Sequence, residues 1–388
     1  MRQVYLDHNA TTPLRKEALD AMMPYLTDEY GNASSVHSMG QKARKAIDES
    51  REMIGSAIGT EGADIIFTSG GTESNNFAIK GIAFSNLNKG RHIITSSIEH
   101  LAVLEPCKFV EHELGFDVTY IGVDKYGVVD LNKLKDSIRK DTVLISIMSA
   151  NNEIGTIQPI KEIARIAKDK GIYFHTDAVQ VLGKEKIDVE ELKIDLCSFS
   201  AHKLNGPKGI GALYLRKGVK IMPFQHGGHH ERNRRAGTEN VAGIVGFSKA
   251  LEIAIKDMKK VDPHLKRLTN NMWQGLNSKI KEIYLNGHPE KRLSNTLNIS
   301  FRYIEGESLI LNFDLKDICA STGSACTSGS LEPSHVLSAI GVPPEFSQGS
   351  IRFSFGYENT QDDVDYCLAE IPPIVERLRK MSPLYDNK

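Results

Sequence analysis

Between about residues 60 and 215 the chain alternates short apolar runs with longer amphipathic stretches. Short runs rich in β-branched and aromatic residues, bounded by turn formers, read as strands at 64–68, 92–96, 118–122, 142–149, 172–176, 194–198 and 211–215. Between them, apolar residues recur at helical spacing over 72–84, 101–114, 131–138 and 160–168. Strand–helix alternation of this kind predicts an α/β fold: a mostly parallel, seven-stranded sheet with helices on both faces. Ligands of such sheets bind beyond the carboxyl ends of the strands. Further along, 240–260 and 264–283 read as two helices, followed by strands at 296–300 and 351–355 and a final helix at 362–380. The pattern divides the chain into a large domain over 16–257 and a smaller α+β domain over 258–388.

Composition narrows the function classes. The 388 residues are 40% hydrophobic and 25% charged, an ordinary globular mixture. Basic and acidic residues nearly cancel, 48 against 49, so there is no electrostatic footprint for nucleic acid. No apolar stretch is long enough to span a bilayer, and MRQVYLDHNATT has no apolar run behind Arg2. Neither a membrane span nor a signal peptide is expected, and the default location is the cytoplasm. The five cysteines are sparse and irregularly spaced, with no C-x-x-C pair, which argues against a disulfide framework and a zinc site. Most are expected to be buried small apolar residues.

Three strand ends carry candidate chemistry. In Thr68–Ser69–Gly70–Gly71–Thr72 a strand enters a Gly-Gly turn that opens a helix. Free backbone N–H groups there suit a phosphate, or the turn is simply capped by Thr72. Asp177 closes an apolar strand in HTDAVQ, where its carboxylate can hold a pyridinium nitrogen protonated or cap the next turn. Lys203, beside His202 and Ser200, follows another apolar strand and precedes Gly206–Pro207–Lys208–Gly209. It is either a solvated strand end or the lysine that captures an aldehyde cofactor. A phosphate-type turn, a strand-end Asp and a strand-end Lys in one α/β domain are the fittings of a pyridoxal-phosphate site. His226, His229 and His230 in QHGGHHERNRR lie on a glycine loop with few carboxylate partners, so no metal is assigned to them. Cys326 differs from the apolar-flanked Cys197: small residues surround it in Ala-Ser-Thr-Gly-Ser-Ala-Cys-Thr-Ser-Gly-Ser. A thiol on such a loop can be offered to a cleft, or it is an ordinary small loop residue.

Taken in order, SGGTES, NNEIGTIQP, HTDAVQ, SFSAHKLNGPKGIGALY and GSACTSGS resemble the cysteine desulfurases of the NifS/IscS type, within the class V aminotransferases. The resemblance runs from YLDHNATTP to SPLYD. It implies a fold type I pyridoxal-phosphate enzyme, with residues 1–15 joining the small domain. Lys203 would hold the cofactor, Asp177 would pair with its ring nitrogen, and Gln180 and Asn152 would face its phenolic oxygen side. His100 would stack on the ring and serve as proton shuttle. Gly71, Thr72, Ser200 and His202 would hold the phosphate, and Thr238 would reach the phosphate of a neighbouring subunit in a homodimer. Arg352 would clamp the carboxylate of the L-cysteine substrate, near Asn152, and Cys326 would accept its sulfur. An iron–sulfur scaffold or other sulfur acceptor is the implied partner, and the C-terminal SPLYDNK resembles the end at which such scaffolds dock. An aminotransferase, a selenocysteine-preferring relative and a non-catalytic binding scaffold are the alternatives; the GSACTSGS loop favours desulfuration.

Overall fold

A computed structural model of the protein describes residues 3–223, 225–322, 334–383 and 385. Its strands are β1 (Val4–Tyr5), β2 (Ile65–Thr68), β3 (His92–Ser96), β4 (Asp117–Ile121), β5 (Thr142–Ser146), β6 (Tyr173–Asp177), β7 (Leu196–Ser200), β8 (Gly211–Leu215), β9 (Ile283–Asn286), β10 (Thr296–Phe301), β11 (Ile318–Cys319) and β12 (Ser350–Ser354). Its helices are α1 (Lys16–Thr27), α2 (Ser38–Ala57), α3 (Gly71–Asn86), α4 (Leu101–Leu114), α5 (Leu131–Asp136), α6 (Ile160–Asp169), α7 (Val241–Lys279), α8 (Gly306–Asp314), α9 (His335–Ala339), α10 (Pro344–Ser347) and α11 (Gln361–Met381).

Seven strands form the central sheet in the order β2-β8-β7-β6-β5-β3-β4. Only β8 runs against its neighbours; the other pairings are parallel. Every residue of β3, β5, β7 and β8 is buried, as a sheet covered on both faces requires. Strand β4, at one edge, is largely exposed. One face packs Ile47, Ile54, Ile163, Phe247 and Leu251 against it, and the other packs Phe77, Ile82, Val103 and Val110. Cys107, Cys197 and Cys367 are fully buried, the fate expected of most cysteines here, whereas Cys319 is half-buried.

A second apolar core is built from Val4 and Leu6 together with residues of α7, β10, β12 and α11, among them Leu268, Leu276, Phe301, Phe353 and Ile371. Here β12-β10-β9 form an antiparallel sheet, while β1 pairs in parallel with β11, Val4 opposite Ile318.

Two expectations are corrected. The two helices read on either side of Pro263 are one helix, α7, of 39 residues. Its first half buries Ile244, Phe247 and Leu251 in the sheet core, and its second half buries Leu265, Leu268 and Met272 in the other. Pro263 lies on the exposed stretch between, where the Lys259 carbonyl that loses its helical partner can turn to water. The expected boundary at 257/258 therefore falls inside a helix. Thr72 is also not the cap of α3: the helix begins at Gly71, and Gly70 is its N-cap.

Pro263 is an interior proline of α7, and Pro263→Ala restores a backbone hydrogen bond. The substitution is expected to stabilise the protein by about 1–3 kcal/mol, read by urea denaturation. A destabilised variant would mean that Pro263 starts a second helix instead.

Candidate active site

Strand ends assemble the site. Gly211 of β8 is paired with both Thr68 and Ser200. A Cβ on Gly211 would lie 2.6 Å from the Gly70 Cα and 2.5 Å from the Phe199 carbonyl oxygen, so glycine is what lets the turn after β2 press against the sheet. Gly70 itself has φ 155° and ψ −176°, a region essentially closed to residues with a side chain. The turn is fixed by Glu73, whose Oε2 accepts the Ser69 N–H at 2.6 Å and which is paired with Arg235 at 2.8 Å. The first turn of α3 is thereby set beside Ser200 and Val179, with Gly71 close enough that a Cβ would meet Val179 at 2.7 Å.

One cavity of about 280 Å³ collects nearly all of the candidates: Gly71, Thr72, His100, Asn152, Asp177, Gln180, Ser200, His202, Lys203 and Arg352 line it. Thr238 does not; it is exposed on the loop before α7. Cys326 lies outside the described residues. The residues flanking that stretch are held at the site: Ser321 exchanges backbone hydrogen bonds with Arg352, and the Ser334 hydroxyl donates to Glu153, next to Asn152.

Lys203, in a short 3₁₀ turn after β7, donates from Nζ to the carbonyl oxygens of Asn9 and Ala10, both at 2.7 Å. Asp177, the last residue of β6, accepts the Asn75 side-chain amide at 2.6 Å and the Val179 N–H at 2.9 Å. Gln180 donates to the same Asn9 carbonyl at 3.0 Å. Arg352 donates to Asp7 at 2.8 Å and to the Asn152 carbonyl at 3.2 Å, and its Nε has no partner among the described residues. The strand expected at 351–355 lies one residue earlier, at Ser350–Ser354; Arg352 is the third residue of β12, and its side chain is 4% exposed.

Burial sets the protonation of this cavity. His100 caps α4, its Nδ1 accepting the Ala102 N–H at 3.0 Å. A backbone N–H only donates, so the neutral ring carries its proton on Nε2. Desolvation, with the charges of Lys203 and His335 and against that of Asp177, holds the ring below the usual histidine range. Burial, with Lys203 and Lys208, takes His202 down to about 4. Behind the cavity, His175 is wedged between the Ser146 and Ser198 hydroxyls, and burial takes it to about 3, a neutral strut. Burial pushes Glu99 up to about 8 and Glu153 up to about 7, so both carboxyls carry a proton near neutrality for part or all of the time.

A family model, aminotransferase class-V, matches residues 4–367. A cysteine desulfurase IscS of Dictyoglomus turgidum is 57% identical over 98% of this chain and 97% of its own length. One from Methanosarcina thermophila is 58% identical over 99% and 94%. A solved NifS-like protein, 41% identical, superposes with a TM-score of 0.92 over 97% of this chain and all of its own. The structure of SspA in complex with cysteine, 37% identical, gives 0.82 over 92% of this chain. The chain belongs to the class-V aminotransferase family. Its class-V relatives at this level of identity carry the name cysteine desulfurase, and its fold is that of the NifS-like members.

The candidate site includes residues that strand and motif reading did not single out. Asn9 supplies the carbonyl that holds Lys203 and Gln180, while its side chain binds Thr296 and the Asn152 carbonyl. Its only signal was its place in YLDHNATTP. Asn75, one turn into α3, orients Asp177; an asparagine at a buried helix position was the signal available.

Because Glu99 holds its proton to a higher pH when folded than an ordinary carboxyl does, the folded state binds more protons between about pH 4.3 and its folded value. That contribution is full below the ordinary carboxyl range and is lost as pH climbs to about 8. Glu99→Gln is expected to flatten the fall of Tm between about pH 5 and pH 8. Superimposable pH courses for variant and parent would rule the assignment out.

Proposed function

We propose that the cavity binds pyridoxal phosphate and that the protein is a cysteine desulfurase, converting L-cysteine to L-alanine while Cys326 takes up the sulfur. The observation that supports this most is the meeting of a lysine amine, a strand-end carboxylate and a guanidinium fork in one cavity. The fit to the cofactor rests on this chain's own groups. The close approach at Gly71 and the amides opening α3 suit a phosphate. Asn75 Oδ1, buried at the cavity wall, has no partner among the described residues and is available to a donor. Pyridoxal phosphate, when bound, supplies an electron sink for a carbanion at the substrate Cα.

The rest is the work of side chains. Lys203, poised on two carbonyls, is the group that binds the cofactor aldehyde and, once displaced, takes the Cα proton. Asp177, held by Asn75 and the Val179 amide, keeps a negative charge at the ring-nitrogen position. Arg352 offers the substrate carboxylate a fork already aligned by Asp7. His100, neutral with its proton on Nε2, presents that proton to the cavity it lines. The Cys326 thiolate attacks the substrate sulfur: the carbon–sulfur bond breaks, a sulfur–sulfur bond forms, and the carbon keeps the electron pair and gains a proton. Cysteine and thiol thus give alanine and a persulfide on Cys326. Thr238, exposed before α7, completes the phosphate site of a second copy in a homodimer. The persulfide sulfur passes to an acceptor protein in the cytoplasm, an iron–sulfur scaffold being the foremost candidate.

With pyridoxal phosphate, L-cysteine and a thiol reductant, the protein is expected to release sulfide and alanine in equal amounts. Cys326→Ala should keep the cofactor's visible absorbance and release no sulfide; sulfide at the parent rate would sink the role of Cys326. Lys203→Ala should lose that visible band before any substrate is added, and its retention would remove Lys203 from the site. Arg352→Lys, a point charge without the fork, is expected to raise KM for cysteine roughly ten- to a hundredfold. An unchanged KM would free Arg352 from carboxylate binding.

A further inference from the structure

One turn beyond Gln180 is a second lysine that the reaction above does not use. Lys184 Nζ donates to Gln180 Oε1 at 3.2 Å. It lines a smaller cavity, whose lining also includes Lys203. Of the acids of that cavity, Asp257 pairs with Arg15 at 2.8 Å, and among the described residues Lys184 makes no ion pair. Desolvation, with the charges of Lys203 and Arg352, pushes its amine down to about 7. A lysine held at that cost without a carboxylate calls for a role.

The hydrogen bonds supply one. A glutamine amide is nearly symmetric in shape, and only its partners decide which end faces which way. Lys184 Nζ donates in this bond, which either protonation state of the amine can do opposite an oxygen, so Lys184 holds Gln180 Oε1 towards itself. The amide NH₂ is then turned to the other side, where one N–H reaches the Asn9 carbonyl at 3.0 Å. The second N–H is left for the main cavity that Gln180 lines. The same Asn9 carbonyl receives the Lys203 amine at 2.7 Å. Lys184, Gln180, Asn9 and Lys203 are thus joined in one hydrogen-bonded row.

We propose that Lys184 is a positioning residue for the pyridoxal-phosphate site: it fixes the orientation of the Gln180 amide, so that a donor rather than an acceptor faces the cavity beside Lys203. The inference rests on the reading of that cavity given above. It concerns the oxygen-bearing edge of the ligand, because only an acceptor there gains from a fixed N–H. Lys184→Met keeps the length and apolar stem of the side chain and removes the donor.

The test is a double-mutant cycle on the dissociation constant for pyridoxal phosphate, measured by absorbance titration of the full-length apo chain without substrate. Lys184→Met is expected to bind about tenfold more weakly than the parent. Gln180→Leu should lose at least as much, and the double variant should be no weaker than Gln180→Leu alone, since Lys184 acts only through the amide. Should Lys184→Met fail to fold by circular dichroism, Lys184→Leu takes its place in the cycle. Binding by the Lys184 variant within twofold of the parent, or losses that multiply in the double variant, would overturn the inference while leaving the site reading intact. A parent chain that binds no pyridoxal phosphate would overturn both.

Discussion

Two backbone carbonyls, those of Asn9 and Ala10, hold the amine of Lys203, and the rest of the site depends on where they come from. They belong to the segment that leaves β1, a strand of the second core, and crosses to the carboxyl edge of the main sheet. There it is fastened along its length: Thr12 hydrogen-bonds the His202 carbonyl through both its N–H and its hydroxyl, and the Arg15 N–H reaches the Asn205 carbonyl. Asp7, two residues before Asn9, meets Arg352 from β12. One strap of chain therefore sets the lysine from the large sheet and the arginine from the small one at a fixed separation. Carbonyls suit the task, because they accept from an ammonium without the fixed negative charge that would hold it protonated.

That dependence explains what was legible in the sequence and what was not. The sheet was legible because strands buried on both faces leave continuous apolar runs, and β3 and β8 fall where those runs lie. Asp177 and Lys203 were legible because a polar residue at the end of such a run stands out. Asn9 contributes chiefly a carbonyl, which any residue possesses, so no side-chain pattern marks it. Strands β1 and β11 are two residues long and pair across more than three hundred positions, beyond the reach of local periodicity. The two helices expected over 240–260 and 264–283 are one because separate cores grip the two halves of α7, which local periodicity does not reveal.

The cavity's electrostatics follow from the same burial that builds the fold. Its flanking histidines are kept neutral by desolvation and by lysines, not by acids. The carboxyls behind it, Glu99 and Glu153, are pushed towards their neutral forms. The ionisable groups that line it have dedicated partners: Asp177 on Asn75, Arg352 on Asp7 and Lys203 on the Asn9 and Ala10 carbonyls. Each ionisable group of the cavity is thus oriented by a named partner, and the histidines and carboxyls around it are biased towards their neutral forms.

The length of α7 has a mechanical meaning. At about 1.5 Å per residue its 39 residues form a spar of roughly 58 Å, anchored at each end in a different core. The two halves of the molecule cannot swing apart as if joined by a slack tether; any opening of the cleft must flex a helix. The spar is most compliant at its single missing rung, beside Pro263, between the anchored segments. The connection between the two cores through α7 is therefore a helix with one weakened rung, not a loose linker.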